Sequence, residues 1–106
     1  MTTPTATMSS TTRDWAPLRA VLEAQRADHA GQRSLALAET VTSVPDAVAL
    51  RRAATLLRTI EEIDAALDRM DTGTYGGCVQ CGSAIAPERL EFRPFAPRCV
   101  SCEQAR

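Results

Sequence analysis

Ala49-Leu50-Arg51-Arg52-Ala53-Ala54-Thr55-Leu56-Leu57-Arg58-Thr59-Ile60-Glu61-Glu62-Ile63-Asp64-Ala65-Ala66-Leu67-Asp68-Arg69-Met70 is the most regular passage of the chain. Within it Ala49, Ala53, Leu56, Ile60, Ile63, Leu67 and Met70 recur at intervals of 4-3-4-3-4-3, three heptads without a break. A period of 3.5 residues keeps one apolar stripe facing a partner helix, which is the pattern of a coiled coil. Arg51, Arg52, Arg58, Glu61, Glu62, Asp68 and Arg69 occupy other positions, as a solvated face requires. Gly73 supplies the stop, since glycine adopts the left-handed conformation that ends helices.

Upstream lies a candidate partner for this seam. Asp14 is a plausible N-cap, with Pro17 tolerated in the first turn and Leu18, Val21, Leu22, Leu35, Leu37 and Val41 continuing a helical pattern. Gly31 costs roughly 1 kcal/mol inside a helix, so a break there is the alternative to a continuous helix. One helix is expected from about Trp15 to Val41. Gln25, Asp28 or His29, and Gln32 would face the middle of the seam. Pro45 disfavours helix at Val44 and marks the break between the helices. Ser43 is the expected cap of the second helix, with Pro45 in its first turn and Asp46 near the positive end of its dipole. Two helices of about 25 residues, each roughly 40 Å long, joined by a short link, form an antiparallel hairpin. A coiled-coil dimer is the alternative use of the same stripe.

Cys78, Cys81, Cys99 and Cys102 form two Cys-x-x-Cys pairs separated by seventeen residues. This spacing is a zinc-site pattern: each turn offers two thiolates, and two turns facing each other complete a tetrahedron with Zn–S bonds of about 2.3 Å. Four protein ligands leave no position for water, so one structural rather than catalytic Zn²⁺ is expected. Disulfides within the pairs would be strained, and no thioredoxin-like unit accompanies them. Three prolines in residues 83–98, and the alternation at Leu90 and Phe92, suggest short strands and turns between the pairs. Ile85, Leu90 and Phe92 are expected to form a small core against Tyr75.

The mainly α fold is thus a helical hairpin followed by a small four-cysteine module. The domains expected are a disordered tail over residues 1–12, a hairpin over 13–72 with its turn near 42–46, and the zinc module over 73–106. Twelve Arg and no Lys against thirteen acids give a formal charge of −1. Such a chain lacks the basic surface of a nucleic-acid binder, and sequence-specific DNA binding is not expected. No apolar run reaches a membrane span and the tail has no signal-peptide core, so a cytoplasmic chain with reduced cysteines is expected. No phosphate loop, Ser/His/Asp set or open metal site argues for an enzyme. The lone His29 reads as a surface or seam residue, and Trp15 as an anchor of the first helix to the zinc module.

Ile63-Asp64-Ala65-Ala66-Leu67-Asp68-Arg69-Met70, Gly73-Thr74-Tyr75-Gly76-Gly77-Cys78-Val79-Gln80-Cys81-Gly82, Arg89-Leu90-Glu91, Arg93-Pro94 and Cys99-Val100-Ser101-Cys102 resemble the DksA/TraR family of C4 zinc fingers. The resemblance covers roughly residues 60 to 102. It implies a transcription regulator whose hairpin enters the secondary channel of bacterial RNA polymerase, with the zinc module at the mouth. Partner contacts are then expected from Asp46, Ala49, Arg51 and Arg52 at the tip and from Arg89 and Arg93 at the base. The family tip motif, Asp-x-x-Asp-x-Ala, is matched at Ala49, while Asp46 is the one acid present and falls out of register. Glu62 and Glu103 stand where guanosine-tetraphosphate-responsive members carry basic side chains, so binding of that nucleotide is expected to be weak or absent. A zinc-finger adapter for other proteins, or a thiol redox switch, are the alternative functions.

Overall fold

The structure, a computed structural model, describes residues 14–39 and 46–105. The residue 1–12 tail and most of the expected turn near 42–46 lie outside these residues. Helix α1 spans Ala16–Glu39 and α2 spans Ala47–Thr72. Two short helices follow, α3 at Pro87–Phe92 and α4 at Val100–Gln104. The principal extents are 68 × 30 × 21 Å and the radius of gyration is 17.6 Å. A compact chain of this length would have a radius near 13 Å, so the molecule is a rod.

The rod is the hairpin. Arg19 pairs with Asp71, Arg26 with Asp64 through two hydrogen bonds of 2.5 and 3.2 Å, and Arg52 with Glu39 at 3.4 Å. Later residues of α1 meet earlier residues of α2, so the helices run antiparallel. These exposed pairs contribute little energy each, but they mark the register.

Along α2 the heptad reading describes the buried stripe well: Ala49, Ala53, Leu56, Ile60 and Ile63 are all buried. Near the end the stripe drifts. Ala66 is fully buried while Leu67 and Met70 are partly exposed. An α-helix has 3.6 residues per turn, so a 3.5-residue repeat walks around it by roughly 20° per heptad.

Helix α1 runs unbroken through Gly31, with Asp14 accepting a hydrogen bond from the Ala16 amide at 2.9 Å. It offers Leu22 and Ala36 as fully buried contacts. Between them the α1 side of the interface is polar, with Gln25, His29 and Arg33 half-buried opposite the stretch of α2 that carries Leu56 and Ile60. Asp28 and Gln32, expected near the seam, instead bond each other on the exposed surface at 2.7 Å. Gln25 Oε1 and Arg33 Nε are buried with no hydrogen-bond partner among the described residues.

The cap of α2 also differs from expectation. Asp46 has an extended backbone and its carboxylate accepts from the Ala49 amide at 3.1 Å, so Asp46 is the N-cap. Ser43, the expected cap, lies outside the described residues. A short polar side chain at N-cap satisfies an otherwise unpaired amide of the first turn. Asp46→Ala is expected to destabilise the hairpin by about 1 kcal/mol, read as a lower midpoint in urea with an unchanged slope.

Candidate metal centre

The hairpin foot and the cysteine module share one core. Leu22, Ile63 and Ala66 from the helices cluster with Tyr75, Cys78, Ile85 and Leu90. Trp15 packs edge-on against Tyr75, with ring centroids 4.7 Å apart. Gly76 sits beneath that indole with φ +91°, and a Cβ there would lie 3.0 Å from Trp15 Cζ2. Glycine is thus required at this position both by conformation and by space. The Tyr75 hydroxyl donates to the Pro94 carbonyl at 2.7 Å, tying the first cysteine turn to the segment before the second. Burial pushes the Tyr75 phenol up to about 12, partly offset by Arg69, so it stays protonated as the donor.

The segment between the cysteine pairs corrects the sequence reading. Pro87–Phe92 is a helix, not a strand, and the isolated bridge seen among the described residues joins Gly77 to Ala84. Pro87 at the start of a helix loses no hydrogen bond and has its φ already set, with Glu88 in the favourable first turn. The change of period moves Phe92 out of the expected core: it is 95% exposed. Pro94 and Ala96 are buried instead, with Phe95 packed against the core.

The two Cys-x-x-Cys pairs are built differently. Cys78 and Cys81 lie in a turn closed by Gly82 N–H to the Cys78 carbonyl, 3.0 Å, and Cys78 N–H to the Ser83 carbonyl, 2.8 Å. The Gln80 and Cys81 amides point at the Cys78 sulfur, at 3.4 and 3.5 Å. Cys99 caps α4, and Cys102 lies three residues further on, on the same face of that helix. Val79 N–H donates to the Pro97 carbonyl at 2.9 Å and joins the two halves.

All four sulfurs fall within 4.8 Å of one another, and Cys81 Sγ lies 3.7 Å from Cys99 Sγ. Ligands about 2.3 Å from a tetrahedral zinc stand about 3.8 Å apart, so the group is the right size for one ion. The electrostatics point the same way. Burial works against the Cys78 thiolate, but the amides of Cys81, Cys99 and Gln80 outweigh it and bring the thiol down to about 6. Ser83 lowers Cys81. Cys102 is pushed up to about 12, chiefly by Cys81 and then by burial and the other sulfurs. Four sulfurs packed without a cation shed the first protons readily and hold the last, a conflict that a dication removes.

The other residues singled out in the sequence are spread along the rod. Arg51 and Arg52 are exposed near the tip, and Ala49 is buried in the hairpin seam. Arg89 Nε donates to the Arg98 carbonyl at 3.1 Å, while Arg93 stacks over Phe95 at 5.2 Å. Glu62 is exposed, and Glu103 accepts from Arg98 at 3.3 Å.

A hairpin rooted in a four-cysteine module defines a zinc-finger protein of the rod-like, helical kind. Residues 73–106 match the prokaryotic DksA/TraR C4-type zinc finger family, and the chain carries that zinc finger, whose four cysteines suit one structural zinc ion. The fold is similar to the transcription factor DksA2 of Pseudomonas aeruginosa, with a TM-score of 0.72, 25% identity, and coverage of 83% of this chain and 78% of that one. In sequence the chain is 41% identical over 44 residues to the RNA polymerase-binding transcription factor DksA of Haemophilus influenzae, covering 42% of this chain and 30% of the relative. It is 38% identical over 69 residues to the DksA of Caulobacter vibrioides, covering 64% and 49% respectively. An uncharacterized protein of Aquifex aeolicus is 40% identical over 48 residues, 45% of this chain and 33% of that protein. The matched parts thus span about a third to a half of these relatives. Among the described residues no helix is long and apolar enough to cross a membrane.

Proposed function

We propose that the chain is a transcription regulator that binds bacterial RNA polymerase, its α1–α2 hairpin entering the secondary channel and its cysteine module resting at the mouth. Cys78, Cys81, Cys99 and Cys102 are the ligands of a single structural Zn²⁺ in this reading. The observation that carries it is the shared core of Leu22, Ile63, Tyr75, Ile85 and Leu90, which welds hairpin and module into one rod. A rod 68 Å long with a braced foot can place its far end deep in a cleft. The likeness to polymerase-binding DksA proteins supports the same partner.

At the tip, exposed Arg51 and Arg52 would touch the channel interior beside Asp46, with Ala49 acting through the seam that holds them. At the base, Arg93 and Arg89 would meet the channel rim. Regulation follows if these contacts differ between polymerase states, because a ligand shifts an equilibrium only by its differential affinity. Guanosine tetraphosphate has no place in this proposal: exposed Glu62 and the Arg98-bound Glu103 present carboxylates where a polyphosphate would need cations.

A photoreactive residue placed at Asp46 in the zinc-loaded chain tests the reading. Crosslinks to the channel interior of core polymerase are expected, together with retention of the chain on immobilised core enzyme. Retention without any such crosslink would leave the module as an adapter and remove the tip from the mechanism. No retention at all would end the proposal.

A further inference from the structure

A concavity lies on the module where α2 ends. This cleft of about 530 Å³ is lined by Arg69, Thr74, Gly77, Cys78, Val79 and Gly82. Arg69 supplies its formal cation. The residue is partly buried, and no hydrogen-bond or ion-pair partner reaches its guanidinium among the described residues. Elsewhere Arg19, Arg26, Arg52 and Arg98 each hold a carboxylate. Burial weakens the hold of Arg69 on its proton, yet a guanidinium remains charged at any physiological pH. A partly desolvated cation facing an open cleft is a seat for an anion.

The chemistry of the cleft selects the kind of anion. The amides of Gly77, Val79 and Gly82 are already committed, to the carbonyls of Thr74 at 3.2 Å, Pro97 at 2.9 Å and Cys78 at 3.0 Å. The cleft therefore lacks the cradle of free N–H groups that phosphates use. One guanidinium matches one carboxylate through two parallel hydrogen bonds. Cys78, in the cleft wall, belongs to a thiolate centre that stays net negative with Zn²⁺ bound, and the chain itself carries −1, so a polyanion is disfavoured. We infer that the Arg69 cleft receives a single Asp or Glu side chain from the protein surface on which the module docks. The identity of that surface as polymerase rests on the function proposed above.

Two measurements decide it. The zinc-loaded, ¹⁵N-labelled full chain is titrated with N-acetylglutamate N-methylamide and, separately, with pyrophosphate. The carboxylate should give saturable shifts at Arg69 Nε–H and at the amides of Thr74, Gly77, Val79 and Gly82. Arg69→Gln should abolish them, and Arg69→Lys, which keeps the charge but not the fork, should weaken binding at least five-fold. Absence of shifts overturns the proposal, as does tighter binding of pyrophosphate. Faster zinc release from Arg69→Gln, with no carboxylate shifts in the wild type, would make Arg69 a counter-charge of the metal centre and overturn it too.

The second measurement is affinity for core polymerase. Arg69→Gln should lose at least ten-fold at unchanged zinc content and melting temperature. Equal affinity of variant and wild type removes the docking role. Carboxylate binding by a wild type that ignores polymerase upholds the cleft and sinks the polymerase reading instead.

Discussion

Stripping the metal with a strong chelator is expected to unfold residues 73–105 while much of the helical signal of α1 and α2 survives. The module has little else to hold it. Its helices α3 and α4 have six and five residues, far below the length at which a helix is stable alone. A single bridge, Gly77 to Ala84, stands in for a sheet, and the core contributed from within the module is little more than Tyr75, Ile85, Leu90 and Ala96. Structural zinc in small fingers supplies on the order of 10 kcal/mol of apparent free energy at neutral pH, more than such a core provides. Trp15 reports the event, because it is the sole tryptophan and packs edge-on against Tyr75. Loss of zinc should red-shift its emission and collapse the amide dispersion of the module, and Cys99→Ser should behave likewise. Acid should act in the same direction, since protons compete with the ion for the thiolates. A module that kept its amide dispersion after complete metal removal would contradict this account.

Ile63→Ala is expected to be the most damaging substitution in the hairpin, by about 3 kcal/mol, for it removes a large, fully buried side chain where helices and module meet. In a chain of this size that lowers the melting temperature by roughly 15 °C. The position also links the two parts, so zinc should leave the variant more readily than the wild type. Leu57→Ala is the control. Leu57 lies on the same helix but 37% exposed, and its loss should change stability by only about 0.5 kcal/mol. Equal effects at the two positions would show that the seam at the foot is not the energetic centre of the molecule.

The long-range plan was legible because it rests on strict spacings. Three heptads fix a helix and its buried face, and two Cys-x-x-Cys pairs are a group whose atoms must converge to be useful. Shorter elements were not legible, for identifiable reasons. In Pro87-Glu88-Arg89-Leu90-Glu91-Phe92 one buried residue, Leu90, serves a helix as well as a strand, so alternation with Phe92 misled, and the signal available was Pro87 followed by Glu88. Ser43 and Asp46 are both good caps, and sequence alone does not say which side of Pro45 the helix begins. The drift that exchanges Leu67 for Ala66 follows from helix geometry and could have been anticipated. The entry of Arg33 into the seam could not, since it reflects the register of the partner helix. Arg69, read as surface charge, gave no sign that the module would partly cover it.

The contacts between the two long helices change character from foot to tip. At the foot they are Leu22 against Ile63 and Ala66, backed by the cysteine module. Past the middle, where Leu56 and Ile60 face a polar stretch of α1 whose Gln25 and Arg33 hold buried atoms with no partner among the described residues, the buried residues toward the far end are Ala36, Ala49 and Ala53. Methyl groups bury little apolar area, so along the described residues the two helices are held least strongly around Ala36, Ala49 and Ala53. Local opening of the described helices should therefore cost least around these alanines and most beside Ile63 and Leu22, so the foot holds its geometry while the contacts furthest from the cysteines yield first.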